Sequence, residues 1–238
     1  MAILSSSITL ARELAHTDSN GLTDALAIDF ANFVSMKMRK MLIDRGIDAA
    51  PVQEALKNIV DNQGTYLYPS DMFYVPKYME INWFENPVTS ANFTSVDKFK
   101  ESNTLPTQGL SWLRLNQPNS NPMVDYRGDY FEIVPTPSYK FWNGKSGDTL
   151  TNGIRLFYYV QPVLYATTGD TMTDPEALDY FSFAELIKQT YFYSLEKISK
   201  DDLEKDFLQE VGRLIKIIQG DGSQPTLPKG LGLTGWEF

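Results

Sequence analysis

The apolar residues of this chain change period twice along its length. From Leu22 to Arg45 they recur at Leu26/Ala27, Phe30/Ala31, Phe33/Val34, Met38 and Met41/Leu42. That three-to-four spacing is the stripe of an amphipathic helix. Thr23 or Asp24 is placed to cap its start, and Gly46 stands where a left-handed residue ends helices. Pro51, Val52, Ala55, Leu56, Ile59 and Val60 continue the same spacing and predict a second, shorter helix. Ile8 to Leu14 allows a short leading helix.

At Gly64 the pattern becomes strand-like. Tyr66–Tyr68, Met72–Val75, Tyr78, Ile81, Trp83 and Phe84 form short aromatic and β-branched runs. Residues 85–128 carry frequent turn signals and read as a long excursion with short strands, Trp112–Leu115 among them. Two firmer strands follow, Tyr130–Val134 and Ile154–Val160, with Asn143-Gly144 and Asn152-Gly153 suited to tight hairpins between them. Helical spacing returns in Phe183, Ile187, Tyr191, Leu195 and Ile198, and again in Leu203, Phe207, Val211, Leu214 and Ile218. Ser199 or Asp201 caps the latter, and Gly220 ends it.

The expected architecture is therefore α+β: an antiparallel helical bundle with an inserted β-rich region and an extended C-terminal tail. The expected segments are 1–63 and 181–219 for the helices, 64–180 for the insert and 220–238 for the tail. That tail holds five glycines and two prolines, yet Leu227, Leu231, Leu233, Trp236 and Phe238 punctuate it. An arm with spaced apolar anchors suits docking on a partner. Folding back over the chain's own helices is the plainer alternative.

The residue inventory offers little chemistry. Without cysteine there is no disulfide, thiol nucleophile or Cys-ligated metal. His16 is the single histidine and has no nucleophile motif near it, so a surface or capping role is expected. Asp201, Asp202 and Glu204 are acidic enough for a cation, but at a helix start they serve capping and the helix dipole. The GKS string at Gly144-Lys145-Ser146 fails as a phosphate loop, because Tyr139 stands where its first glycine is required. We expect no catalytic, cofactor or metal residues, and no enzyme.

The net charge is −9, and the one basic cluster, Lys37, Arg39 and Lys40, is flanked by acids. Sequence-specific nucleic-acid binding would need a basic face. An acidic sleeve could still surround a passing polyanion without holding it. No apolar run approaches the roughly 20 residues that span a bilayer, and no basic-then-apolar start marks a signal peptide. Tyr66, Tyr68, Tyr74, Trp83, Trp112, Tyr126, Tyr139 and Trp142 raise a rival class, a glycan-binding β-rich module of a virion component.

Four strings carry a family resemblance: LTDALAIDFANFVSMKM from Leu22, GTYLYPSDMFYV from Gly64, Tyr130–Pro137 (YFEIVPTP) and Ile154–Leu164 (IRLFYYVQPVL). In pattern and order over residues 22–218 the chain resembles the head-to-tail adaptor proteins of tailed bacteriophages, also called connector or head-completion proteins. The resemblance implies a structural subunit of the virion neck, made in the host cytoplasm. Such subunits form dodecameric rings that join the portal protein to a downstream tail or neck protein, with DNA passing through. It implies that 22–62 and 181–218 build the bundle, that 65–180 faces the next neck component, and that Leu227–Phe238 reaches the portal.

Overall fold

The computed structural model describes residues 3–82, 93–98, 122–142 and 145–220. The chain divides into two compact units, a helical one of residues 1–50 and 162–238 and a β unit of residues 51–161. The expected boundaries at 63/64 and 180/181 differ from these two crossings.

In the helical unit, α1 (Leu4–Ala15) and α2 (Asp24–Asp44) precede the crossing, and α3 (Tyr180–Ser194) and α4 (Lys200–Gln219) follow it. Thr23 accepts the Leu26 N–H at the start of α2. Ser199 and Asp202 form a reciprocal capping box at the start of α4, and Gly220 closes it in the left-handed conformation. The acids at 201–202 thus serve the helix start. The expected antiparallel bundle does not form. One of its intended members, 51–60, is a strand, and α3 instead packs on each of the other three helices. Lys37 of α2 pairs with Glu204 at 3.1 Å and lies 4.3 Å over the Phe207 ring of α4. Phe33 meets that ring edge-on.

The β unit contains β1 (Val52–Val60), β2 (Thr65–Leu67), β3 (Met72–Ile81), β4 (Thr94–Ser95), β5 (Asp97–Lys98), β6 (Met123–Tyr126), β7 (Tyr130–Val134) and β8 (Thr149–Val160). One sheet runs β1-β8-β3-β4 and the other β2-β7-β6-β5; both are antiparallel except for the β5–β6 pair. The two share a single core. Ile59, Met79, Ile81, Leu150, Ile154, Leu156 and Tyr158 come from the first sheet, and Tyr66, Val124, Phe131 and Ile133 from the second.

Strand β1 misleads at the sequence level because its apolar residues fall three and four apart by coincidence. Ala55 and Ile59 turn to the core, whereas Val52 and Leu56 lie exposed on the other face. Its β-branched ends and its pairing along β8 settle it as strand. Asn152-Gly153, expected as a hairpin, lies inside β8. There Asn152 adopts a positive φ and donates its N–H to the Asn58 side chain, where the β1–β8 register slips. Gly153 is required at this point, since a Cβ would meet Ile59 at 2.7 Å. Asn143-Gly144 and Trp112–Leu115 lie outside the described residues.

Candidate interaction surface

Along β8 the side chains alternate. Ile154, Leu156 and Tyr158 enter the core, so Arg155, Phe157 and Tyr159 take the opposite face. Cross-strand partners share a face, which places Val52, Glu54 and Leu56 of β1 and Tyr78 and Glu80 of β3 beside them. Tyr78 stacks on Phe157 with ring centroids 4.3 Å apart. Arg155 lies 3.0 Å from Glu54 and 3.5 Å from Glu80, and its guanidinium sits 4.4 Å over the Phe93 ring. The outcome is an apolar and aromatic face crossed by one row of charge, with Tyr159 buried on it and Phe157 half-buried. Val52, Leu56 and Tyr78 are each more than a third exposed on it.

The aromatics that point to glycan binding in the sequence divide differently. Tyr66 is buried and stacks on Phe131; Tyr68, Tyr126 and Tyr139 pack against the same core. Tyr66 donates its hydroxyl to the Gln63 carbonyl and accepts the Val60 N–H, and burial pushes its pKa up to about 12. Burial does the same to Tyr126, also to about 12, and raises Tyr68 as well. Trp83 and Trp112 lie outside the described residues. Of the set, Tyr74 is exposed, at a positive φ in β3.

The polar chemistry of the helical unit is turned inward. Arg39 makes a two-pronged pair with Glu176, at 2.9 and 2.6 Å, and both are buried. The guanidinium also donates to the Ala49 carbonyl at 2.5 Å and to Thr173 at 3.2 Å, and the Ser35 hydroxyl donates to Glu176. Burial, followed by the Glu176 charge, raises the pKa of Tyr165 nearby. A second cluster joins Asp179, Ser182 and Glu210, with the Ser182 hydroxyl 2.8 and 2.5 Å from the two carboxylates. Arg213, 3.3 Å from Asp179, closes it from the surface and stacks over Phe181. The basic cluster of the sequence is therefore dispersed: Arg39 is buried in an ion pair and Lys37 is engaged with α4.

His16 is exposed and follows α1 in the left-handed conformation, its N–H donated to helix carbonyls. An open groove of about 370 Å³ lies beside α1, lined by Ser5, Ser6, Thr9, Leu10, Glu13 and Tyr180. Among the described residues no three His, Asp or Glu side chains gather as a metal site, and no helix is long and apolar enough to cross a membrane. Large apolar side chains stand in the open on the helical unit too, including Phe33, Phe181, Tyr193, Leu208 and Ile217. Leu227, Leu231, Leu233, Trp236 and Phe238, the partner-binding residues expected from the sequence, lie outside the described residues. Sequence reading missed the β1–β8–β3 face; the apolar and aromatic residues on both parities of 154–159, Leu156 and Tyr158 on one and Phe157 and Tyr159 on the other, are the signal that could have found it. No protein-family model matches the chain, and no curated protein is similar to it in sequence.

Proposed function

We propose that the chain is a non-catalytic structural subunit of a tailed-phage neck. In this reading copies of it form an adaptor ring that joins the portal to the tail and continues the DNA channel. The observation that carries the reading is the display of large apolar side chains on each unit: Val52, Leu56 and Tyr78 on one, Phe33, Phe181, Leu208 and Ile217 on the other. Apolar residues exposed singly are ordinary on any protein, but Val52, Leu56 and Tyr78 share one sheet face with Phe157, a patch of the kind that a neighbouring subunit covers on assembly. The order of sequence patterns from Leu22 to Ile218 supports the neck in particular, and a net charge of −9 suits a conduit through which DNA slides. Trp236 and Phe238 are the anchors assigned to the portal.

The test is an image. The protein mixed with portal rings of its own phage should add a collar of matching symmetry in averaged electron micrographs. A chain ending at Gly220 should leave the portal bare. Portal rings that look the same with and without the full chain would overturn the neck assignment.

A further inference from the structure

Among the described residues the outer edge of β1 is an open hydrogen-bonding edge with a readable code. The Val160 N–H donates to the Pro51 carbonyl at 2.9 Å, which makes 51 and 160 a hydrogen-bonded pair. Antiparallel pairing alternates, so Gln53, Ala55 and Lys57 direct their backbone groups to β8. Val52, Glu54 and Leu56 then direct theirs away from the sheet. Among the described residues no strand pairs with that side. Residues 52–57 hold no proline, and the charge and register slip that guard this edge, Lys57 and the bulge after it, lie at its far end, beyond Val52, Glu54 and Leu56. Val52 is 38% exposed and Leu56 51%.

The side chains on those outward-bonding residues run apolar, acidic, apolar. Glu54 shares Arg155 with Glu80, so these two carboxylates and one guanidinium carry a net charge of −1. A strand that completes this edge should read apolar, basic, apolar at alternate positions. Residues 227–231 of this chain are Leu-Pro-Lys-Gly-Leu. We propose that the β1 edge of one copy receives residues 227–231 of a second copy as an added antiparallel strand. Lys229 lies opposite Glu54, Leu227 opposite Leu56 and Leu231 opposite Val52. In this register the backbone nitrogens of Pro228 and Gly230 face away from β1. The missing N–H of proline therefore removes no ladder bond, and Gly230 sets no side chain against the sheet. The contact joins two different patches, so it propagates from copy to copy, into a ring where the rotation between copies closes and into an open helix where it does not. It requires a second copy but not the neck assignment, and it leaves Trp236 and Phe238 for another partner.

The chain has no cysteine, so introduced thiols are unique. A hydrogen-bonded antiparallel pair holds its Cα atoms about 5.5 Å apart, within disulfide range. Full-length Glu54→Cys protein mixed with full-length Lys229→Cys protein should give a heterodimer on a non-reducing gel after mild oxidation. Its yield should exceed that of Lys57→Cys mixed with Lys229→Cys several times over. Equal yields from the two mixtures, or no heterodimer up to the solubility limit, would overturn the proposal. So would an internal disulfide in a dilute chain carrying both Glu54→Cys and Lys229→Cys, because the occupant would then be the chain's own segment. As a second reading, Lys229→Glu should weaken self-association in sedimentation by roughly tenfold. Adding Glu54→Lys should restore it with an unchanged circular dichroism spectrum, and failure of that rescue counts against the pairing.

Discussion

In the helical unit an arginine, three carboxylates and several hydroxyls are out of water, whereas in the β unit the described charges stay near the surface. Of the buried polar side chains among the described residues, all but Asn82 belong to the helical unit. The β core is filled instead by aliphatic and aromatic side chains, with tyrosines whose tips find partners at its margin, Tyr66 donating to the Gln63 carbonyl and Tyr158 to the Asp71 carboxylate. A core of the first kind is specified by who meets whom, because a buried charge without its partner is costly. A core of the second kind is specified by volume and alternation. The two units should therefore fail to different substitutions.

The largest effect belongs to the buried ion pair. Glu176→Gln strands the Arg39 guanidinium and should destabilise the helical unit by about 3–5 kcal/mol. Replacing both, as Arg39→Met with Glu176→Leu, should recover most of that loss. Chemical denaturation followed by hydrogen exchange on α2 and α3 reads both variants, and a double variant no better than the single would break the contrast. Gly153→Ala attacks the β unit through packing alone. Its Cβ would press on the fully buried Ile59, costing about 1–3 kcal/mol. Ile59→Val removes only Cδ1 and leaves Cγ1 at 2.8 Å, so it should return little of the loss. Exchange in β1 and β8 should rise while α2 and α3 stay protected. The smallest effect is at the capping box: Ser199→Ala should cost about 1 kcal/mol and fray the first turn of α4, seen as faster exchange there.

Legibility in the sequence follows the same division. Helices α2, α3 and α4 were readable because their apolar stripes are long and their caps, Thr23, Ser199 and Gly220, are local signals. Strands β3, β7 and β8 were readable from β-branched and aromatic runs. Strand β1 was not: an edge strand exposed along one face can carry helical spacing without contradiction. The Arg39–Glu176 pair was equally hidden, since its partners are 137 residues apart and no periodicity links them. Glu54, Leu56 and Arg155 become a surface only once β1 is known to lie beside β8. The segment holding Trp236 and Phe238 was singled out by composition, a signal of what a stretch could contact rather than of where it sits.

The pairing of Pro51 with Val160 has one more consequence, for how such a chain could arise. The β unit begins and ends on neighbouring strands, with its first residue, Pro51, hydrogen-bonded to Val160 beside its last. To the helical unit, everything between them amounts to a loop whose two ends are already closed. The chain-entropy penalty for carrying it is set by that narrow gap rather than by the length of the insert once the β unit has folded. A segment joined in this way can be lengthened, exchanged or lost in evolution while the host keeps its own fold.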